Sequence, residues 1–99
     1  MPSQNDTPES RLAFCRDRID DLDRRLVALL NERGSVVEVI GEVKKQARLP
    51  VYEPKRENAV YANIASANAG PLSNEALQRI FERIIDEMRK VQSERMIVK

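Results

Sequence analysis

Ninety-nine residues make one domain, and 17 basic against 16 acidic side chains leave a formal net charge of +1. That balance offers no cationic excess to neutralise a run of phosphates. With aromatics at 4% there is also little to stack on bases, so general nucleic-acid binding is disfavoured.

An apolar share of 41% supports a folded chain rather than a disordered one. Residues 1–9 read as a disordered leading segment, polar through Asp6, and residues 10–96 as the folded domain. Thr7-Pro8-Glu9 is a helix start: an N-capping Thr, a Pro suited to the first helical position and an acid in the first turn. From about Pro8 to about Gln46, Leu12, Cys15, Ile19, Leu22, Leu26, Leu29, Val36, Ile40 and Val43 recur at spacings of three and four, apart from one interruption. This predicts one long helix with a narrow apolar seam. Gly34 and Gly41 lie inside it, each costing about 1 kcal/mol of helix propensity relative to Ala. They serve either close helix packing or room for a ligand. The lone cysteine, Cys15, is on the seam and reads as a small buried hydrophobe.

Pro50 pushes Leu49 out of helical space and ends the long helix in a connector, Arg48–Tyr52. Glu53-Pro54 restarts a short helix to about Ala67, with Val60, Tyr61 and Ile64 as its apolar stripe. Asn68-Ala69-Gly70-Pro71 is a stop signal, and Ser73 caps a third helix to about Arg95. That helix turns Leu77, Ile80, Phe81, Ile84, Ile85, Met88 and Val91 to one side. The fold expected is all-α: three helices, long, short and medium.

A compact monomer of this length has a radius of gyration of about 13 Å. A helix of about 39 residues is about 58 Å long at about 1.5 Å per residue. The rest of the chain is too short to cover such a seam, which predicts a homodimer or higher oligomer. The polar N-terminus carries no apolar signal region and no run approaches membrane-spanning length, so a cytoplasmic protein with no membrane partner is expected.

Three polar residues interrupt apolar faces, one per helix. Arg33 takes the seam position between Leu29 and Val36, Glu57 lies one turn before Val60 and Tyr61, and Gln92 continues the third helix's face. Singly, each has an ordinary reading: a register-setting seam residue, a solvated first-turn acid, a frayed helix end. Together they point to a shared polar pocket, because buried polar groups need partners and a polar ligand supplies them. Lys44 is eleven residues from Arg33. On one helix this brings it within about 20° of the same face, roughly 16 Å further along, so the two cations can bracket a small dianion. Arg16 is about 25 Å from Arg33 on the same helix and can join that grip only from the partner of an antiparallel pair. The sequence has no His, no Ser–His–Asp or Cys–His set, no Gly-rich phosphate loop and no metal-ligand cluster. An enzyme built from these residues works by positioning and electrostatics.

These residues in this order resemble the all-helical chorismate mutases. The likeness runs through Cys-Arg-Asp-Arg-Ile-Asp-Asp-Leu-Asp with Arg16, Leu-Leu-Asn-Glu-Arg with Arg33 and Gly-Glu-Val-Lys with Lys44. It continues through Val-Tyr-Glu-Pro-Lys-Arg-Glu with Glu53, Arg56 and Glu57, and Ile-Phe-Glu-Arg-Ile-Ile-Asp followed by Gln92, so it covers roughly residues 10–95. The resemblance implies an intertwined homodimer with sites shared between chains. It implies rearrangement of chorismate to prephenate, on the route to phenylalanine and tyrosine, with no metal and no cofactor. By the same resemblance, Arg33 and Arg16 of the partner subunit bind the two carboxylates, while Lys44 and Gln92 hydrogen-bond the ether oxygen. Glu57 accepts from the ring hydroxyl, helped by the backbone N–H of Glu53, and Arg56 is a supporting cation. Lys44, Gln92 and Arg33 are thus the expected catalytic residues. Met88 departs from the family pattern, which often has a small polar residue there. The alternatives are an isochorismate-pyruvate lyase of the same fold, which tends to have an apolar residue at Glu57, and a non-catalytic helical dimerisation or regulatory module. Members of the family occur both alone and fused to a synthase, dehydratase or dehydrogenase.

Overall fold

The computed structural model describes residues 6–97, and these form three helices and no strand. Helix α1 spans Pro8–Ala47, α2 Pro54–Ala67 and α3 Asn74–Met96, each within a residue or two of its expected bounds. The fold is all-α, as the periodicity requires.

α1 starts at Pro8, where Thr7-Pro8-Glu9 predicts a helix start. Thr7 N–H donates to Ser10 Oγ at 2.9 Å, and Ser10 N–H donates to Thr7 Oγ1 at 3.1 Å. This reciprocal cap satisfies amides that the first turn leaves without helical partners, with Ser10 where Glu or Gln usually stands. Pro8 and Glu9 are therefore in the first turn of the helix. The rest of the expected disordered segment, residues 1–5, lies outside the described residues.

At its other end α1 closes in a Schellman motif. Leu49 N–H donates to Lys44 O at 2.8 Å and Arg48 N–H to Lys45 O at 3.3 Å, with Arg48 at φ 56°. A glycine would hold this left-handed position without strain. The turn reverses the chain, Pro50 prevents the helix from resuming, and α2 begins at Pro54. Between α2 and α3, Gly70 adopts φ 78° and donates its N–H to Asn68 Oδ1 at 2.9 Å. Asn68 Nδ2 donates to Leu72 O and Asn74 Oδ1, both at 2.8 Å. Ser73 Oγ then accepts from Ala76 N–H at 3.1 Å to start α3.

The chain divides into two units between Arg33 and Gly34, inside α1. The described part of the first is a single capped helix on which Leu12, Ile19, Leu22, Leu26 and Leu29 stay exposed, as does Cys15, against the burial expected for it. The second contains the end of α1 with α2 and α3, and α2 packs on α3. Its buried residues are Val37, Gly41, Lys44, Ile85 and Gln92. Two of these five are polar or charged, and both are candidate site residues.

Candidate functional site

Lys44 is in the last turn of α1, its side chain 8% exposed. Burying an ammonium costs several kcal/mol unless it is fully paired. Here Nζ donates to Val51 O at 3.0 Å and to Gln92 Oε1 at 2.7 Å, and pairs with Glu53 Oε1 at 2.5 Å. An ammonium has three donors, so all of them are engaged. Each partner is delivered by a feature already described. The αL turn at Arg48 brings Val51 O back to a lysine seven residues earlier. Glu53 immediately precedes α2, and Gln92 comes from the buried face of α3.

Gly41 decides how close α1 and α3 come at this point. A Cβ there would lie 2.9 Å from Gln92 O and 3.0 Å from Arg95 Cβ, closer than packed atoms allow. Of the two readings for the glycines, close packing therefore holds at Gly41. It sets the spacing at which Lys44, three residues further along the same helix, meets Gln92. Gly34 is different: a Cβ would meet only Met88 Sδ, at an ordinary 3.9 Å.

The Lys44–Gln92 contact fixes the amide's orientation. Lysine only donates, so the Gln92 carbonyl must face Nζ and its Nε2 must face away. No hydrogen bond among the described residues uses that Nε2, which leaves a donor beside a buried cation. Glu53, with its side chain 49% exposed, is the one partner of Lys44 that can swing into water.

Glu57, in the first turn of α2, forms a second cluster. Arg89 Nε donates to Glu57 Oε2 at 3.0 Å, and Arg89 Nη2 closes on the same oxygen. Arg89 Nη1 donates to Asp86 Oδ1 at 2.7 Å, and its guanidinium lies over the Tyr52 ring, 5.4 Å from the centroid. The hydrogen bonding to Glu57 raises the arginine's pKa further above its ordinary value. Glu57 is thus partnered, and not the solvated first-turn acid of the ordinary reading. Arg89 is absent from the sequence-derived site. A signal for it exists: four residues after Ile85 and three before Gln92, it shares the face of α3 that carries that helix's buried residues.

Of the expected site residues, the structure brings Lys44, Glu53 and Gln92 into one hydrogen-bonded group and gives Glu57 a partner of its own. Arg56 is exposed on α2, and among the described residues no hydrogen bond joins it to either cluster. Arg16 is exposed and Arg33 half-buried, both in the first unit. A buried ammonium beside an outward-facing amide is a pair of fixed N–H donors. It suits an oxygen that gains negative charge without being protonated.

Residues 15–93 match the family model described as chorismate mutase type II. The bifunctional chorismate mutase/prephenate dehydratase of Neisseria gonorrhoeae is 40% identical over 72 residues, 73% of this chain and 19% of that protein. The chain spans about a fifth of the length of such bifunctional relatives. Among solved structures, chorismate mutase (form II) from Thermus thermophilus superposes with a TM-score of 0.82 at 31% identity, over 84% of this chain and 94% of that one. Chorismate mutase from Helicobacter pylori in complex with prephenate gives 0.82 at 28% identity, over 91% and 99%.

Proposed function

Because the chain belongs to the chorismate mutase type II family, we propose that it rearranges chorismate to prephenate, in the synthesis of phenylalanine and tyrosine. The reaction is pericyclic: the ether C–O bond breaks as a C–C bond forms within one molecule, and no proton moves. Negative charge grows on the ether oxygen in the transition state. Donors already in place there lower the barrier because they bind that charge more tightly than the ground state.

The observation that carries this reading is the buried Lys44–Gln92 pair. Lys44 gives the ether oxygen a charged donor and Gln92 Nε2 a neutral one. Lys44 must first release one of its three present acceptors, and Glu53 is the one that moves. Arg33 and Arg16 of the partner subunit neutralise the two carboxylates. Glu57 accepts from the ring hydroxyl with help from the Glu53 N–H, and Arg56 adds positive potential at the rim.

The functional assembly in this reading is a homodimer in the cytoplasm. What supports the dimer is the exposed seam of α1, together with the need for two arginines too far apart on one helix to grip one small ligand. Among the described residues no helix is long and apolar enough to cross a membrane.

Incubation with chorismate should consume its ultraviolet absorbance and yield prephenate, and Lys44→Ala should lower kcat by about 100-fold or more. Pyruvate released from isochorismate without prephenate from chorismate would instead make the protein a lyase. No turnover of either would make it a non-catalytic helical module. Sharing of sites is tested by mixing Arg16→Ala and Arg33→Ala chains, each inactive alone. Activity should return, because each heterodimer has one site with both arginines. Failure to regain activity in verified heterodimers would refute sharing.

A further inference from the structure

We propose that Arg89 is a positioning residue for the substrate's ring hydroxyl, acting through Glu57. The inference rests on the reading of Glu57 as the acceptor of that hydroxyl.

Two nitrogens of Arg89 converge on one oxygen of Glu57, Oε2. A carboxylate held this way cannot rotate freely, and its second oxygen, Oε1, is left outside the clamp. No hydrogen bond among the described residues uses Oε1, so the clamp directs one acceptor and leaves it available. The clamp is itself braced. The third guanidinium nitrogen, Nη1, is held by Asp86 Oδ1 at 2.7 Å, and the cation lies over the Tyr52 ring. Two planar donors on one oxygen, with the cation stacked on a ring, belong to arginine and are not reproduced by lysine.

Three of the five guanidinium N–H donors are taken by carboxylates, two of them by Glu57. In this proposal the influence of Arg89 on the ring hydroxyl passes through Glu57.

The placement on α3 fits the substrate. Arg89 precedes Gln92 by three residues on one face, about 4.5 Å along the axis. In chorismate the ring hydroxyl and the ether oxygen are on adjacent ring carbons. One helix thus supplies the donor for the ether oxygen and, a turn away, the clamp on the hydroxyl's acceptor. α2 supplies the acceptor itself.

The test compares chorismate with its analogue carrying hydrogen in place of the ring hydroxyl, on the wild type, Arg89→Met and Arg89→Lys. For chorismate, Arg89→Met should lower kcat/KM by about 10- to 100-fold, the scale of a misplaced positioning group. Arg89→Lys, which keeps the charge but not the fork, should recover part of that loss. For the analogue, all three proteins should agree within about 2-fold, because no hydroxyl remains to be oriented. Equal losses on both substrates would overturn the proposal, since a general structural role moves them together. An unchanged kcat/KM for chorismate would overturn it as well. If Arg89→Met does not fold, the two substrates on Arg89→Lys decide the matter, with loss on chorismate alone supporting the proposal. A wild type that turns over no chorismate would defeat the parent reading instead.

Discussion

The two stretches of α1 on either side of Arg33 share one spacing of apolar residues and differ in what is buried. Before Arg33, the large seam side chains range from 39% exposed at Leu22 to 60% at Leu29. After it, Val37, Gly41 and Lys44 are buried, while the seam residues Val36, Ile40 and Val43 are still exposed. The flank covered within this chain is thus one residue further round than the seam. A helix with an ordinary core side and an ordinary solvent side would not look like this. The end of α1 has one flank that the chain closes and a second apolar strip that it does not, and the first unit's own seam residues are exposed as well. In the proposed dimer that strip is the interface, where each large side chain contributes about 1.5–3 kcal/mol on burial.

The largest expected effect comes from charging the uncovered strip. Leu26→Asp should abolish dimerisation, read as a halved mass in solution, and remove turnover with it. If the strip is simply solvated, a surface substitution there changes stability by no more than about 0.5 kcal/mol and the contrast between the two stretches has no functional meaning.

A smaller effect separates the two glycines of the covered stretch. Gly41→Ala places a methyl 2.9 Å from Gln92 O and should cost about 1–3 kcal/mol in thermal or denaturant unfolding. It should also lower kcat, because Gln92 shifts relative to Lys44. Gly34→Ala meets only an ordinary contact and should stabilise by up to about 1 kcal/mol. If Gly34→Ala gains stability but loses activity, the second reading applies at that glycine, and it makes room for substrate.

The smallest effect is at the turn that ends the covered stretch. Arg48 adopts φ 56°, and Arg48→Gly should stabilise by up to about 1 kcal/mol by relieving the left-handed strain. A loss of stability would mean that the arginine side chain has a role exceeding that strain.

Much of the molecule was legible because its rules are local. Thr7-Pro8, Glu53-Pro54 and Ser73 mark helix starts, and Leu49-Pro50 and Asn68–Pro71 mark stops, through chemistry that acts within a few residues. At the start of α1 the Thr7 cap was readable, and the reciprocal bond from Ser10 completes it. Gln92 and Glu57 were found as polar residues on apolar faces and Lys44 by its spacing from Arg33, and in the structure each of these three has a hydrogen-bonded partner.

What the sequence by itself determined is therefore the three helices, their ends and the polar residues that need explaining. The tertiary structure alone decided the partner of each: Lys44 with Gln92 across 48 positions, and Glu57 with Arg89 across 32. It also decided that Gly41 is needed for contact with α3 and that the covered flank of α1 is not the seam. The physical reason is that periodicity tells which residues share a face, whereas the surface that closes on that face is set by packing between distant segments.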